Sequence, residues 1–242
     1  MDSRFVWQPI SRERYFTDAE MVTLFEVVNE LERQPRWVDP CFLVRFVFGT
    51  GLRVGEIPPL RIGADISPDG VLLVRRSKSG RQRQVAMSPE LYPFFKLREM
   101  SYLRASPARK KLLAESGLLF PRRNGGGEDL WGYDENRLMK PLNKRTLQMY
   151  WTRVIAEADV RQLSIHCGRH TYATMELASR RLTFKEVQSQ LGHGAEETTR
   201  EVYQHVVVEG LYNPTWKPLW WEIALKKINE IKRVEEVEFT CA

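Results

Sequence analysis

The stretch His166-Cys167-Gly168-Arg169-His170 places two of the chain's four histidines and an arginine within five positions. Two chemistries fit such a cluster. If the segment is helical, His166 and His170 share a face, the i,i+4 spacing used by zinc hydrolases. Those sites carry a glutamate beside the first histidine, where this chain has Cys167, and need further ligands that no Cys-x-x-Cys pair supplies. Arg169 would also set a permanent positive charge one turn from the cation. The second chemistry is phosphate binding with proton transfer, which needs groups brought in from elsewhere in the chain.

Such groups occur in three other segments. Arg53 follows the glycines of GTGLRVGE, where a side chain can leave a core toward a ligand, and Glu56 stands three residues on to orient its guanidinium. Lys78 sits in the turn of RRSKSGRQR, among Arg75, Arg76, Arg81 and Arg83, whose charges suit contact with a phosphate backbone. His193 and Tyr203 lie in LGHGAEETTREVYQH. Taken singly, each has an ordinary reading. These are an exposed Arg–Glu pair worth about 0.2–0.5 kcal/mol, a solvated turn lysine, a hydrogen-bonded core histidine and a packing tyrosine.

Their order is less ordinary. TGLRVGE (50–56), SKSG (77–80), HCGRHTYAT (166–174), LGH (191–193) and YQH (203–205) together resemble the catalytic domain of the tyrosine recombinase, or phage integrase, family, over residues 17–206. The resemblance implies a site-specific recombinase or integrase in which Tyr203 cleaves a DNA strand. The products are a 3′-phosphotyrosyl link and a free 5′-hydroxyl, and neither metal, ATP nor another cofactor is used. It assigns Arg53 and Arg169 to the non-bridging phosphate oxygens, which the planar guanidinium fork fits at a charge it never loses. Tyrosine, with a reference pKa of about 10, needs a base, and the family pattern offers His166. Lys78 would protonate the leaving 5′-oxygen, and His193 would hydrogen-bond the scissile phosphate. Glu56 and His170 would support the site, His170 from the core. The chain departs from the family in having Cys167 and Gly168 where aspartate and leucine are usual, and in a longer interval from His193 to Tyr203. Two rival functions use the same scaffold: a type IB topoisomerase-like enzyme that relaxes DNA, and a catalytically silent DNA-binding regulator.

Positioning these groups falls to a mainly α chain with a small antiparallel β-sheet, an α+β fold. Thr17 or Asp18 caps a first helix whose face carries Met21, Leu24, Phe25, Val28 and Leu31. A second helix, capped by Asp39 and stopped by Gly49 and Gly51, is apolar nearly all round and therefore buried. Val71–Arg75 and Gln82–Met87 read as a hairpin, and Ser88 caps a helix after it. The glycine-rich stretch after Pro121 reads as a loop, and further helices follow from Asn143, Ile165, Thr183 and Ala195. This gives an arm or linker remnant over 1–16, a catalytic domain over 17–212, and a tail over 213–242 with an amphipathic helix.

Composition bounds the partners. A hydrophobic content of 43% fits a globular protein, and a formal charge of +6 permits a polyanionic partner. No GxxxxGK[ST] loop or GxGxxG turn supports ATP or NAD. No apolar run is long enough to span a bilayer, so no membrane partner is expected, and the N-terminus lacks a secretory pattern. Three widely spaced cysteines suggest reduced thiols in a cytoplasmic setting, nucleoid-associated if DNA is the substrate. The expected partner is double-stranded DNA at a specific site, with self-association as a tetramer on DNA through the tail. The alternative for the tail is a helix folded back on its own domain. Since residues 1–16 alone precede the catalytic region, the chain reads as a fragment of a longer protein or as a minimal form.

Overall fold

Thr17 starts the first helix with a reciprocal cap. In the computed structural model, which describes residues 14–75, 82–103, 116–122, 140–192, 218–226 and 228, α1 spans Asp18–Leu31. The Glu20 N–H donates to Thr17 Oγ1, and the Thr17 N–H donates to Glu20 Oε2 at 2.8 Å. Met21, Leu24, Phe25 and Val28 form its buried face.

The second helix, α2 (Val38–Thr50), runs out of a 3-10 turn at Pro35–Trp37 and is buried at every residue from Asp39 to Thr50. Its termini differ from expectation. Asp39 does not cap it but lies inside the first turn, where its carboxylate pairs with Arg98. Gly49 does not stop it either. The helix runs through Gly49, where a Cβ would meet the Cβ of Leu91 at 2.5 Å, and ends on Gly51 at φ 62°.

The hairpin pairs β1 (Val71–Val74) with β2 (Arg83–Ala86), Val71 opposite Ala86 and Val74 opposite Arg83. Arg75, Gln82 and Met87 fall just outside the ladder. Then come α3 (Tyr92–Leu103), α4 (Lys144–Glu157, capped by Asn143), α5 (Ile165–Ala178) and α6 (Phe184–Leu191). A Thr183–Glu186 capping box opens α6, and Gly192 at φ 65° closes it.

The core forms where α2 packs on α4 and α5. Phe48 of α2 is its aromatic centre, with Trp151 at 5.4 Å, Phe16 and Phe25 at 5.9 Å and Trp220 at 6.3 Å between ring centroids. Tyr15 and Phe16 therefore belong to the domain rather than to an arm ending at residue 16. Both are buried, and the Phe16 N–H donates to Thr171 Oγ1 at 3.0 Å. A smaller cluster around Tyr172, Leu177 and Val187 joins α5 to α6.

Residues 219–226 and 228 are helical and pack on this same core. Trp220 stacks on Phe25 at 4.7 Å, Asn29 Nδ2 donates to the Ile223 carbonyl, and Arg45 Nη1 donates to that of Ala224. This part of the tail is thus folded on its own domain, the alternative expected for it above. Residues 229–242 lie outside the described residues. Among the described residues no helix is long and apolar enough to cross a membrane.

Candidate phosphate-binding site

The last carbonyls of a helix have no partner inside it and must find one elsewhere. At the end of α6, the Gly192 N–H takes the carbonyls of Gln188 and Ser189, and arginines take the next two. Arg83 Nε donates to the Gln190 carbonyl at 2.7 Å. Arg169 Nη2 and Arg53 Nη1 both donate to the Leu191 carbonyl, at 2.6 and 3.3 Å. Cations at a helix C-terminus also complement its macrodipole. Three guanidiniums from distant segments therefore meet where α6 ends at Gly192.

Each is placed by a specific piece of backbone. Arg53 leaves the core just after the left-handed Gly51, a position where a Cβ would strike the Tyr172 ring at 2.4 Å. Arg169 projects from α5, is 2% exposed, and donates through Nη1 to the Gly51 carbonyl at 2.9 Å. Arg83 is on β2, whose Ala86 N–H is held by Gln190 Oε1 at 3.0 Å. One buried carboxylate, Glu56, sits among them. It accepts both Arg83 Nη groups at 2.9 and 2.8 Å, the Arg53 N–H at 2.9 Å and Arg53 Nη1 at 3.3 Å. Burial alone would push the Glu56 carboxyl up. The hydrogen bonds and charge of Arg83, with the Arg53 N–H and the charge of Arg169, outweigh burial and hold it below the ordinary value. Three guanidiniums around one carboxylate leave a surplus of two positive charges, which suits a phosphodiester.

His166 stands on the first turn of α5, three residues before Arg169, and is solvent-exposed. Partial desolvation of its ring, then the charges of Arg169, Arg53 and Arg14, lower its pKa below the ordinary 6.5. This shift favours the neutral imidazole, the form that can accept a proton. His170 was expected in the core. It is instead only half-buried, edge-on to His166 with ring centroids 4.6 Å apart.

Gly168 has a structural reason. A Cβ there would meet Trp151 Cη2 at 2.6 Å and Val47 Cγ1 at 2.7 Å. The glycine lets the first turn of α5 lie directly on α4 and α2, which fixes Arg169 against Gly51. Cys167 is half-buried, its Sγ 3.5 Å from Ser164 Oγ.

The structure thus brings Arg53, Glu56 and Arg169 together, with His166 on the same helix as Arg169. It separates the two described hairpin arginines. Arg75 is half-exposed and bound to Asp65 and the Ala64 carbonyl. Arg83, expected to contact DNA, is 9% exposed at its side chain and occupied by Glu56 and Gln190. A period-two signal could have revealed this: Val85 is fully buried, and Arg83 shares its face of β2. Lys78, Arg76, Arg81, His193 and Tyr203 lie outside the described residues. Among the described residues no group of three His, Cys, Asp or Glu side chains is placed to hold a metal.

Known proteins resemble the chain in sequence and in fold. The chain matches the model of the phage integrase family over residues 14–209. It is 30% identical over 176 residues to the tyrosine recombinase XerD of Vibrio cholerae, covering 70% of this chain and 50% of that protein. It therefore spans half the length of that curated relative. The crystal structure of XerA recombinase superposes with a TM-score of 0.59 at 21% identity, covering 84% of this chain and 64% of the other. That of the XerH site-specific recombinase, bound to palindromic difH substrate in a post-cleavage complex, gives 0.58 at 20% identity, covering 81% and 51%. At these identities the two structures share the fold.

Proposed function

The chain belongs to the phage integrase family, and from that premise we propose that it cuts and rejoins DNA strands through a 3′-phosphotyrosyl intermediate on Tyr203. The observation that carries the reading is the convergence of Arg53 and Arg169 on one oxygen, the Leu191 carbonyl. Two permanently charged forks within hydrogen-bonding reach of a single oxygen can be shared with the non-bridging oxygens of a phosphate. Arg53, 30% exposed at its side chain, is the one that reaches solvent.

The proposed reaction is an in-line transesterification. The Tyr203 oxygen forms a bond to phosphorus as the bond from phosphorus to the 5′-oxygen breaks. The tyrosine proton passes to neutral His166, and Lys78 protonates the departing 5′-oxygen. Charge building on the non-bridging oxygens is met by Arg53, Arg169 and His193, a preorganised stabilisation in which single donors are commonly worth about 3–4 kcal/mol. The ester energy is kept in the phosphotyrosine, so attack by a 5′-hydroxyl reseals the strand without ATP or metal. The proposed partner is double-stranded DNA at a specific site, with self-association on that DNA, and the proposed location is the cytoplasm, at the nucleoid.

The test is a DNA substrate selected for binding and nicked near the cleavage point, so that the released fragment cannot religate. The native protein is expected to form a covalent adduct that survives denaturing electrophoresis, and Tyr203→Phe to form none. An adduct that persists in Tyr203→Phe removes that residue from its role. Absence of an adduct with the native protein favours the silent regulator.

A further inference from the structure

Two arginines compete for one buried carboxylate at this site, and the geometry shows which one holds it. Arg83 meets Glu56 fork to fork, with two parallel bonds of 2.9 and 2.8 Å, the strongest arrangement for such a pair. Arg53 reaches Glu56 with its side chain only through Nη1, at 3.3 Å, and shares that same atom with the Leu191 carbonyl at 3.3 Å. Arg83 is also pinned by its third bond, to the Gln190 carbonyl, and by the ladder position opposite Val74. Arg53, by contrast, is nearly a third exposed. Yet Arg53 and Glu56, three residues apart, are natural partners in sequence. A bidentate pair between them would commit the fork that a phosphate needs.

We propose that Arg83 is a positioning residue that occupies both oxygens of Glu56 and so keeps the Arg53 guanidinium loosely held and able to turn onto a phosphate oxygen. This rests on the strand-cleavage reading above. Without Arg83, a buried carboxylate would be left without its main counter-ion, a costly state. The nearest flexible cation able to relieve it is Arg53, whose main chain already donates to Glu56 Oε2.

The experiment measures single-turnover cleavage at saturating DNA for the native chain, Arg83→Met, and the double variant Arg83→Met/Glu56→Gln. Arg83→Met is expected to slow cleavage by at least about tenfold while its DNA dissociation constant changes much less. Removing the competing charge in the double variant is expected to recover most of that loss. If Arg83 were merely structural, the double variant would be as slow as the single one or slower, and that result overturns the proposal. Arg83→Lys serves where Arg83→Met folds poorly. One ammonium cannot hold both oxygens in parallel, so an intermediate rate is expected, and a native rate counts against the proposal. A crystal structure of Arg83→Met reads the same point without DNA or activity. A bidentate Arg53–Glu56 pair is expected, and an unchanged single contact overturns the inference. If the native chain forms no adduct, the strand-cleavage reading fails, while the crystal structure still decides between the two arginines.

Discussion

Glu176 is a carboxylate in the wrong surroundings. It is buried on α5, its Oε2 has no hydrogen-bond partner among the described residues, and its other oxygen is 3.3 Å from Arg181. Arg181 gives its fork to Glu90 at 2.9 and 2.8 Å and stacks over Trp221. Burial raises the Glu176 pKa from 4.5 to about 7; Arg181 opposes the rise and Glu90 adds to it. The folded state therefore binds a proton that the unfolded chain releases above about pH 4.5. The protonated group supports the fold fully below 4.5, and its support is lost as pH rises through about 7. Glu176→Gln is expected to be close to neutral at pH 5 and to stabilise the domain by on the order of 2 kcal/mol at pH 8. Thermal melts of both proteins across that range check it. Nothing in TMELAS announces this, because a lone glutamate in a helix reads as a surface residue until the packing is known. The residues facing the candidate phosphate site were more legible. Arg53 and Arg169 stand beside a helix-ending glycine and a histidine, signals that are local in sequence. The partner of Glu56 was hidden because Arg83 lies on a strand of another segment.

At the scale of elements, two opposing effects meet at Gly168. Alanine would improve helix propensity by about 1 kcal/mol. Its methyl would also enter space held by Trp151 and Val47, within 2.7 Å of both. Trp151 cannot swing aside freely, since its Nε1 donates to the Leu163 carbonyl at 2.8 Å. Overpacking of this kind costs about 1–3 kcal/mol, so Gly168→Ala is expected to lower stability on balance, readable as a fall in the urea midpoint at unchanged m-value. Most elements could be read from periodicity and caps: the Thr17 and Thr183 boxes, the apolar α2 and the hairpin all form as their patterns require. The errors fell at boundaries. Asp39 looks like a cap because aspartate before proline usually is one. Its pairing with Arg98, far along the chain, drew it inside the helix instead.

For the whole molecule, the tail decides how much of the chain is one body. Trp220 is 3% exposed and lies on Phe25 and Phe48. Trp220→Ala is expected to cost about 3–5 kcal/mol, in the range for large aromatic truncations in a core, as measured by chemical unfolding. A tail that only bridged subunits would leave the stability of the isolated chain unchanged. The amphipathic pattern of the tail announces a helix with one apolar face, but it does not say against which surface that face packs. That choice depends on the Asn29 and Arg45 side chains waiting on α1 and α2. The convergence of Phe16 and Trp220 on Phe48 also bears on how the protein is made. Contacts between segments far apart in sequence form slowly and only once both exist. During synthesis the aromatic centre stays open on one side until Trp220 has left the ribosome. The whole stretch from Arg53 to Tyr203 is therefore translated before the domain can close around its core.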